Sequence, residues 1–159
     1  MIKQLFLFID GSAHPKSQIG YGGYIVCEHP SYALINNVEI KRFEQTTSTR
    51  LEIQTLLWAL STIQANDHKL TIYTDCQGTI NLLNRRQRLE DSTFENKKGV
   101  PLNNADLYRL FYRAIDSHSI TFEKVKGHKP TKQKGEIDRI FSLVDKATRK
   151  ALREAINPK

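Results

Sequence analysis

Five successive apolar residues, Leu5-Phe6-Leu7-Phe8-Ile9, run without interruption into Asp10-Gly11-Ser12. A strand with one wet face alternates apolar and polar residues, so an unbroken run of this length reads as a strand buried on both faces. Such a strand needs a layer over each side of its sheet, which points to an α/β architecture. It also delivers an acid at its C-terminal end. The arrangement recurs in Leu70-Thr71-Ile72-Tyr73-Thr74, which leads into Asp75.

Between the two lies a helical pattern. In the stretch Thr49–Ile63, the residues Ile53, Leu56, Ala59, Leu60 and Ile63 form a stripe that includes Glu52, so a carboxylate is carried toward the core. Each acid has an ordinary explanation on its own: an Asp after a strand commonly caps a turn or helix, and a Glu at the margin of an apolar face commonly snorkels to water. Together they are harder to explain that way. An ionised carboxylate buried without a partner costs several kcal/mol, and no single Arg could serve three of them. Two strand-end acids and one core-facing helical acid suit the oxygen ligand set of Mg²⁺ or Mn²⁺.

The remaining pattern predicts strands near 4–11, 20–28 and 38–44, a helix near 49–64, and a strand near 69–74. A helix near 77–84 follows, then a polar basic stretch over 85–100, a helix near 104–116, a strand near 119–125 and a final helix near 137–155. This βββαβααβα order implies an antiparallel three-stranded meander extended into a five-stranded mixed sheet by crossover helices. At 159 residues it is expected to form one domain with no separate substrate-binding module. The apolar stretch at the N-terminus is too short for a signal peptide or a membrane span, so a cytoplasmic protein is expected. Cys27 and Cys76 are too few and too far apart for a zinc site or a disulfide framework. Of the net charge of +7, six units fall in residues 101–159. There Lys124, Lys126, Lys129, Lys132 and Lys134 follow one another with no intervening acid, after a smaller cluster of Arg85, Arg86 and Arg88. Beside a metal centre, such clusters read as phosphate contacts for a polyanion.

These motifs resemble type 1 ribonuclease H. Asp-Gly-Ser ends the first strand, Thr-x-x-Arg-x-Glu opens the first long helix (Thr47 to Glu52), and Thr-Asp-x-Gln follows the fourth strand (Thr74 to Gln77). The stretch Pro101–Ile115, the motif Val125-Lys126-Gly127-His128 and a closing helix with Val144-Asp145-Lys146 continue the likeness over nearly the whole chain. The resemblance implies two Mg²⁺ ions, with Mn²⁺ a substitute, held by Asp10, Glu52, Asp75 and Asp145, with His128 assisting proton movement or product release. The implied reaction is endonucleolytic cutting of the RNA strand of an RNA/DNA hybrid by a monomer, leaving 5′-phosphate and 3′-hydroxyl ends. Hybrid contacts are implied at Gly11, Ser12, Thr47, Ser48, Gln77 and Lys129.

Two points depart from the family. The last acid ordinarily follows the motif His by about ten residues, which designates Asp138; the surroundings of Asp145 match the family's terminal helix, and we take Asp145. Asp138 is expected instead near the start of that helix, where the dipole favours an acid. Moreover, Ser-Ala-His14-Pro-Lys replaces a segment that often carries Cys and Asn, Ser48 and Thr49 stand where Asn is frequent, and residues 85–100 lack the Trp residues of the family's basic protrusion. The alternatives are a nuclease with another substrate, of resolvase or exonuclease type, and a non-catalytic nucleic-acid-binding module. An exonuclease would carry a Glu two residues after the first Asp, where this chain has Ser12, and a binding module would lack ligands that are present.

Overall fold

The computed structural model of the chain describes residues 3–31, 37–64, 67–126 and 135–158. The elements run in the expected order: β1 (Lys3–His14), β2 (Ile19–Cys27), β3 (Glu39–Phe43), α1 (Ser48–Ile63), β4 (His68–Thr74), α2 (Gln77–Asp91), α3 (Ala105–Ser117), β5 (Ser119–Lys124) and α4 (Glu136–Ile156). The five strands form one sheet in the order β3-β2-β1-β4-β5. β1 pairs antiparallel with β2, and β2 with β3, whereas β4 lies parallel to β1, and β5 to β4.

The apolar run is the centre of the molecule. Leu7, Phe8 and Ile9 expose none of their surface, as a strand covered on both faces requires. Successive side chains point to opposite faces. Leu7 and Ile9 therefore join Ile72, Leu56 and Phe111 in the core beneath α1 and α3, and Phe8 joins Ile25, Ile140 and Val144 beneath α4. Asp10, next in the even-numbered series, continues the α4 face. Among the described residues, no helix is long and apolar enough to cross a membrane.

Two boundaries differ from expectation. β1 runs on to His14 rather than stopping near residue 11, because it stays paired with β2 as far as Ile19, so Asp10 lies four residues short of the strand's end. α2 runs to Asp91 rather than stopping near residue 84, because Leu82 and Leu89, two helical turns apart, are both buried. The charged surface over that last stretch also has partners within the fold. Arg86 donates to Glu90 through Nε at 2.6 Å and to both Asp116 oxygens through its two Nη atoms at 2.7 Å, and lies over the Tyr112 ring at 5.1 Å. Arg86, expected as part of a phosphate-contacting cluster, is thus engaged within the fold, where it fastens α2 to α3. Beyond the helix, Thr93 and Phe94 take left-handed backbone angles, and the chain folds back so that Glu95 pairs with Pro101.

Candidate metal centre

The candidate site lies where β1 and β4, the two neighbouring parallel strands, approach their C-terminal ends. Glycines let the helices come close enough to complete it. Gly11 and Gly22 are register partners on β1 and β2. A Cβ on Gly22 would run into the Thr55 side chain, and one on Gly11 would come within 2.8 Å of Leu51 Cδ2. α1 thus rests almost on the sheet backbone, with Glu52 beside this contact. Asp10 pairs with Gly23, on the opposite face. A Cβ there would meet Thr148 Cγ2 at 2.8 Å and Val144 Cγ1 at 3.3 Å, so the bare backbone at Gly23 lets α4 bring Asp145 to Asp10.

Carboxylate oxygens of Asp10, Glu52 and Asp75 lie within 4.8 Å of one another. Asp10 is 4% exposed. Glu52 is half-buried as a residue, yet its Oε2 is shut off from solvent and has no hydrogen-bond partner. Burial, then the Glu52 and Asp75 charges, push the Asp10 carboxyl up to about 9, and Asp145 adds to this as a hydrogen-bonding partner. In its neutral form Asp10 can donate to Asp145. Glu52 is pushed up to about 8, by burial first and the Asp75 charge second. A shielded oxygen without a donor, and acids pressed together until they hold their protons, are what a site for a hard cation looks like before the charge arrives. The donors are all oxygens, which suits Mg²⁺, Mn²⁺ or Ca²⁺ and not a thiolate-seeking metal.

Asp145 and Asp138 do different things. Asp138 is the third residue of α4, and its Oδ2 accepts from the Gly135 backbone N–H at 3.1 Å, as an acid in the first helical turn should. Asp145 faces Asp10 and accepts from Arg149 Nε at 3.0 Å. Three residues escaped the sequence reading. Thr148, fully buried, donates to the Asp145 carbonyl at 3.0 Å and shares a 3.1 Å hydrogen bond with Ser12, tying β1 to α4. Thr46, also buried, donates to Gln54 Oε1 at 2.7 Å and steadies the entry to α1. Arg149 holds Asp145. Only Arg149 left a trace in the sequence, its four-residue spacing from Asp145.

Thr47 caps α1, accepting from the Arg50 N–H at 3.2 Å. Ser48 is the exposed first residue of that helix. Gln77, exposed at the start of α2, donates to Asn81 at 2.8 Å. His14 is held by Ser17 at 2.8 Å across the turn between β1 and β2. His128 and Lys129 lie outside the described residues.

The family model described as RNase H matches residues 2–151. The chain belongs to the ribonuclease H family. Its relatives include the ribonuclease H of Caldicellulosiruptor saccharolyticus, 26% identical over 156 residues that cover 96% of this chain and 99% of that protein. They also include the ribonuclease HI of Haemophilus influenzae, 28% identical over 129 residues and 80% of each chain. The solution structure of the PFV RNase H domain superposes with a TM-score of 0.73 at 19% identity, covering 94% of both chains, and so has the same fold. The ribonuclease H likeness therefore extends from motifs to the full architecture.

Proposed function

We propose that this ribonuclease H family member cuts the RNA strand of RNA/DNA hybrids endonucleolytically, with Asp10, Glu52, Asp75 and Asp145 holding two Mg²⁺ ions for which Mn²⁺ can substitute. The observation that carries the reading is the convergence of three carboxylates, with oxygens within 4.8 Å of one another, one of which, Glu52, keeps a shielded oxygen with no hydrogen-bond partner. Family membership supplies the substrate: ribonucleases H act on hybrids. Residues 1–159 work as one catalytic domain, as a monomer.

When bound, the ions supply an activated water for in-line attack on the phosphodiester and positive charge against the leaving 3′ oxygen, leaving 5′-phosphate and 3′-hydroxyl ends. The chain's own residues provide the frame. Asp10, beside the other acids, would help hold both ions and would bind them as the deprotonated carboxylate. Glu52 and Asp75 serve one position from α1 and from the end of β4. Asp145 serves the other, steadied by Arg149 through its carboxylate and by Thr148 through its carbonyl. Gly11 and Ser12 just after Asp10 on β1, Thr47 and Ser48 at the start of α1, and Gln77 at the start of α2 orient the hybrid against these acids. Lys129 contacts phosphate, and His128 moves a proton at the leaving oxygen or helps release product. Selectivity for RNA would rest on 2′-hydroxyl contacts in the segment after Asp10.

The test uses end-labelled RNA/DNA, RNA/RNA and DNA/DNA duplexes, each with Mg²⁺ and with EDTA. Cuts confined to the RNA of the hybrid and abolished by EDTA are expected. Binding without cleavage in either Mg²⁺ or Mn²⁺ would overturn the reading in favour of a non-catalytic module.

A further inference from the structure

α4 carries more positive charge on its outer face than folding can account for. Its buried side presents Ile140, Val144 and Thr148 to the sheet. On the opposite side, at about 100° per residue, Arg139, Lys146, Lys150 and Arg153 fall within a sector about 60° wide. All four are exposed, as is Arg149 beside them. The exposed acids of the helix itself, Glu136 and Glu154, both flank the ridge on the side away from Arg149. Arg149, through its 3.0 Å contact with Asp145, joins the ridge to the rim of the carboxylate cluster.

A surface built only for solubility mixes its signs, and α2 does so: Arg86 pairs with Glu90 four residues on. The ridge does the opposite. Lys146 stands four residues from Lys150, and Arg149 four from Arg153, while Lys150 is three from Arg153. Like charges at these spacings destabilise a helix. Arg153 recovers part of this at the helix C-terminus, but Arg139 and Lys146 sit too far from that end. From Arg139 to Arg153 the ridge is about 21 Å long at 1.5 Å per residue, the axial rise of about six nucleotides of a duplex strand.

We propose that the outer face of α4 is a second contact surface for the sugar–phosphate backbone of the substrate duplex, engaging it beyond the stretch held at the carboxylates. This rests on the hybrid-cleavage reading. The contact carries no sequence preference, because lysines and arginines on phosphate read charge and not base edges. It adds affinity only where the duplex is long enough to reach from the acids to the ridge.

The test compares a ridge triple, Lys146→Gln/Lys150→Gln/Arg153→Gln, with a control triple that removes the same charge from exposed positions elsewhere, Lys3→Gln/Lys69→Gln/Arg113→Gln. Dissociation constants are measured in EDTA over a salt series for hybrids of about 10 and about 36 base pairs, lengths set by the 3.4 Å rise per nucleotide. On the long hybrid, the ridge triple is expected to lose about tenfold or more in affinity and two to three units of salt slope, about one per lost phosphate contact. It should match the parent on the short hybrid in affinity and Mg²⁺-dependent cleavage, and its melting temperature should be no lower. The ridge is overturned if the two triples behave alike, or if the ridge triple loses as much on the short hybrid as on the long. Cleavage of the short hybrid by the unaltered chain reports separately on the hybrid-cleavage reading.

Discussion

Replacing Asp10 by Asn should make the metal-free protein more stable at neutral pH, although it removes a central group of the site. Asp10 is 4% exposed and its carboxyl is pushed up to about 9 by burial and by the Glu52 and Asp75 charges, from an ordinary value of 3.8. Between those values the folded chain binds a proton that the unfolded chain has released, so stability falls as pH rises. At about 1.4 kcal/mol per pKa unit, the roughly three units between the unfolded value and pH 7 amount to about 4 kcal/mol. Relaxation and water entry reduce this, and a gain of about 2–4 kcal/mol is expected on removing the charge. For a chain of this size that is a rise of roughly 5–15 °C in Tm. Asn keeps the volume and can still donate to Asp145. The assay is thermal and urea unfolding of parent and variant in EDTA, from pH 4 to pH 8.5. The gain should be small at pH 4, close to the unfolded value where little proton release has yet occurred, and should grow with pH. With Mg²⁺ the parent should recover stability by linkage and the variant much less. A variant that is no more stable at pH 7, or whose gain is the same at pH 4, would refute the argument that the four acids are held together against their own repulsion.

Asp145→Asn should lose more hybrid cleavage than the roughly 10–100-fold typical of a supporting residue, whereas Asp138→Asn should keep activity and lose about 0.5–2 kcal/mol as a helix-end defect; a dead Asp138 variant beside an active Asp145 variant would reverse the assignment. Gly22→Ala should push α1 off the sheet, costing about 1–3 kcal/mol in urea unfolding and most of the activity, and adding Thr55→Ala should restore part of both, since Thr55 is what the new methyl meets. Arg86→Gln should cost about 1 kcal/mol through its lost ties to Glu90 and Asp116 yet leave hybrid affinity at constant salt within about twofold; a large affinity loss without destabilisation would return Arg86 to the substrate.

The strands and their terminal acids were legible because an unbroken apolar run has few alternatives, and Glu52 because it interrupts an otherwise apolar stripe. The end of α2 was not. Between Leu82 and Leu89 the sequence is almost wholly polar and basic, and nothing local reveals that Arg86 finds Asp116 thirty residues away. Thr46 and Thr148 were hidden for the same reason: a buried hydroxyl is marked by its partner, and the partner of Thr148 is Ser12, 136 residues distant. For the last acid, counting from His128 favoured the residue that caps α4, whereas its surroundings favoured the one that faces Asp10. The structure separates the two by helical position, which counting along the chain does not contain.

The glycines tie these observations together. Adjacent side chains on a strand point to opposite faces, so Gly22 and Gly23 strip neighbouring positions of β2 bare on both sides of the sheet, one for α1 and one for α4. The same alternation puts Asp10 over the Gly23 side and Gly11 over the Gly22 side. One two-residue step of β1 against β2 therefore sets how closely both helices approach, and hence how closely Glu52 and Asp145 approach Asp10 from opposite faces. Asp75 arrives from β4, whose parallel register with β1 makes both strands end at the same edge of the sheet. The convergence of four acids thus needs no long loop: it follows from strand polarity, the period of two, and the missing side chains at Gly22 and Gly23.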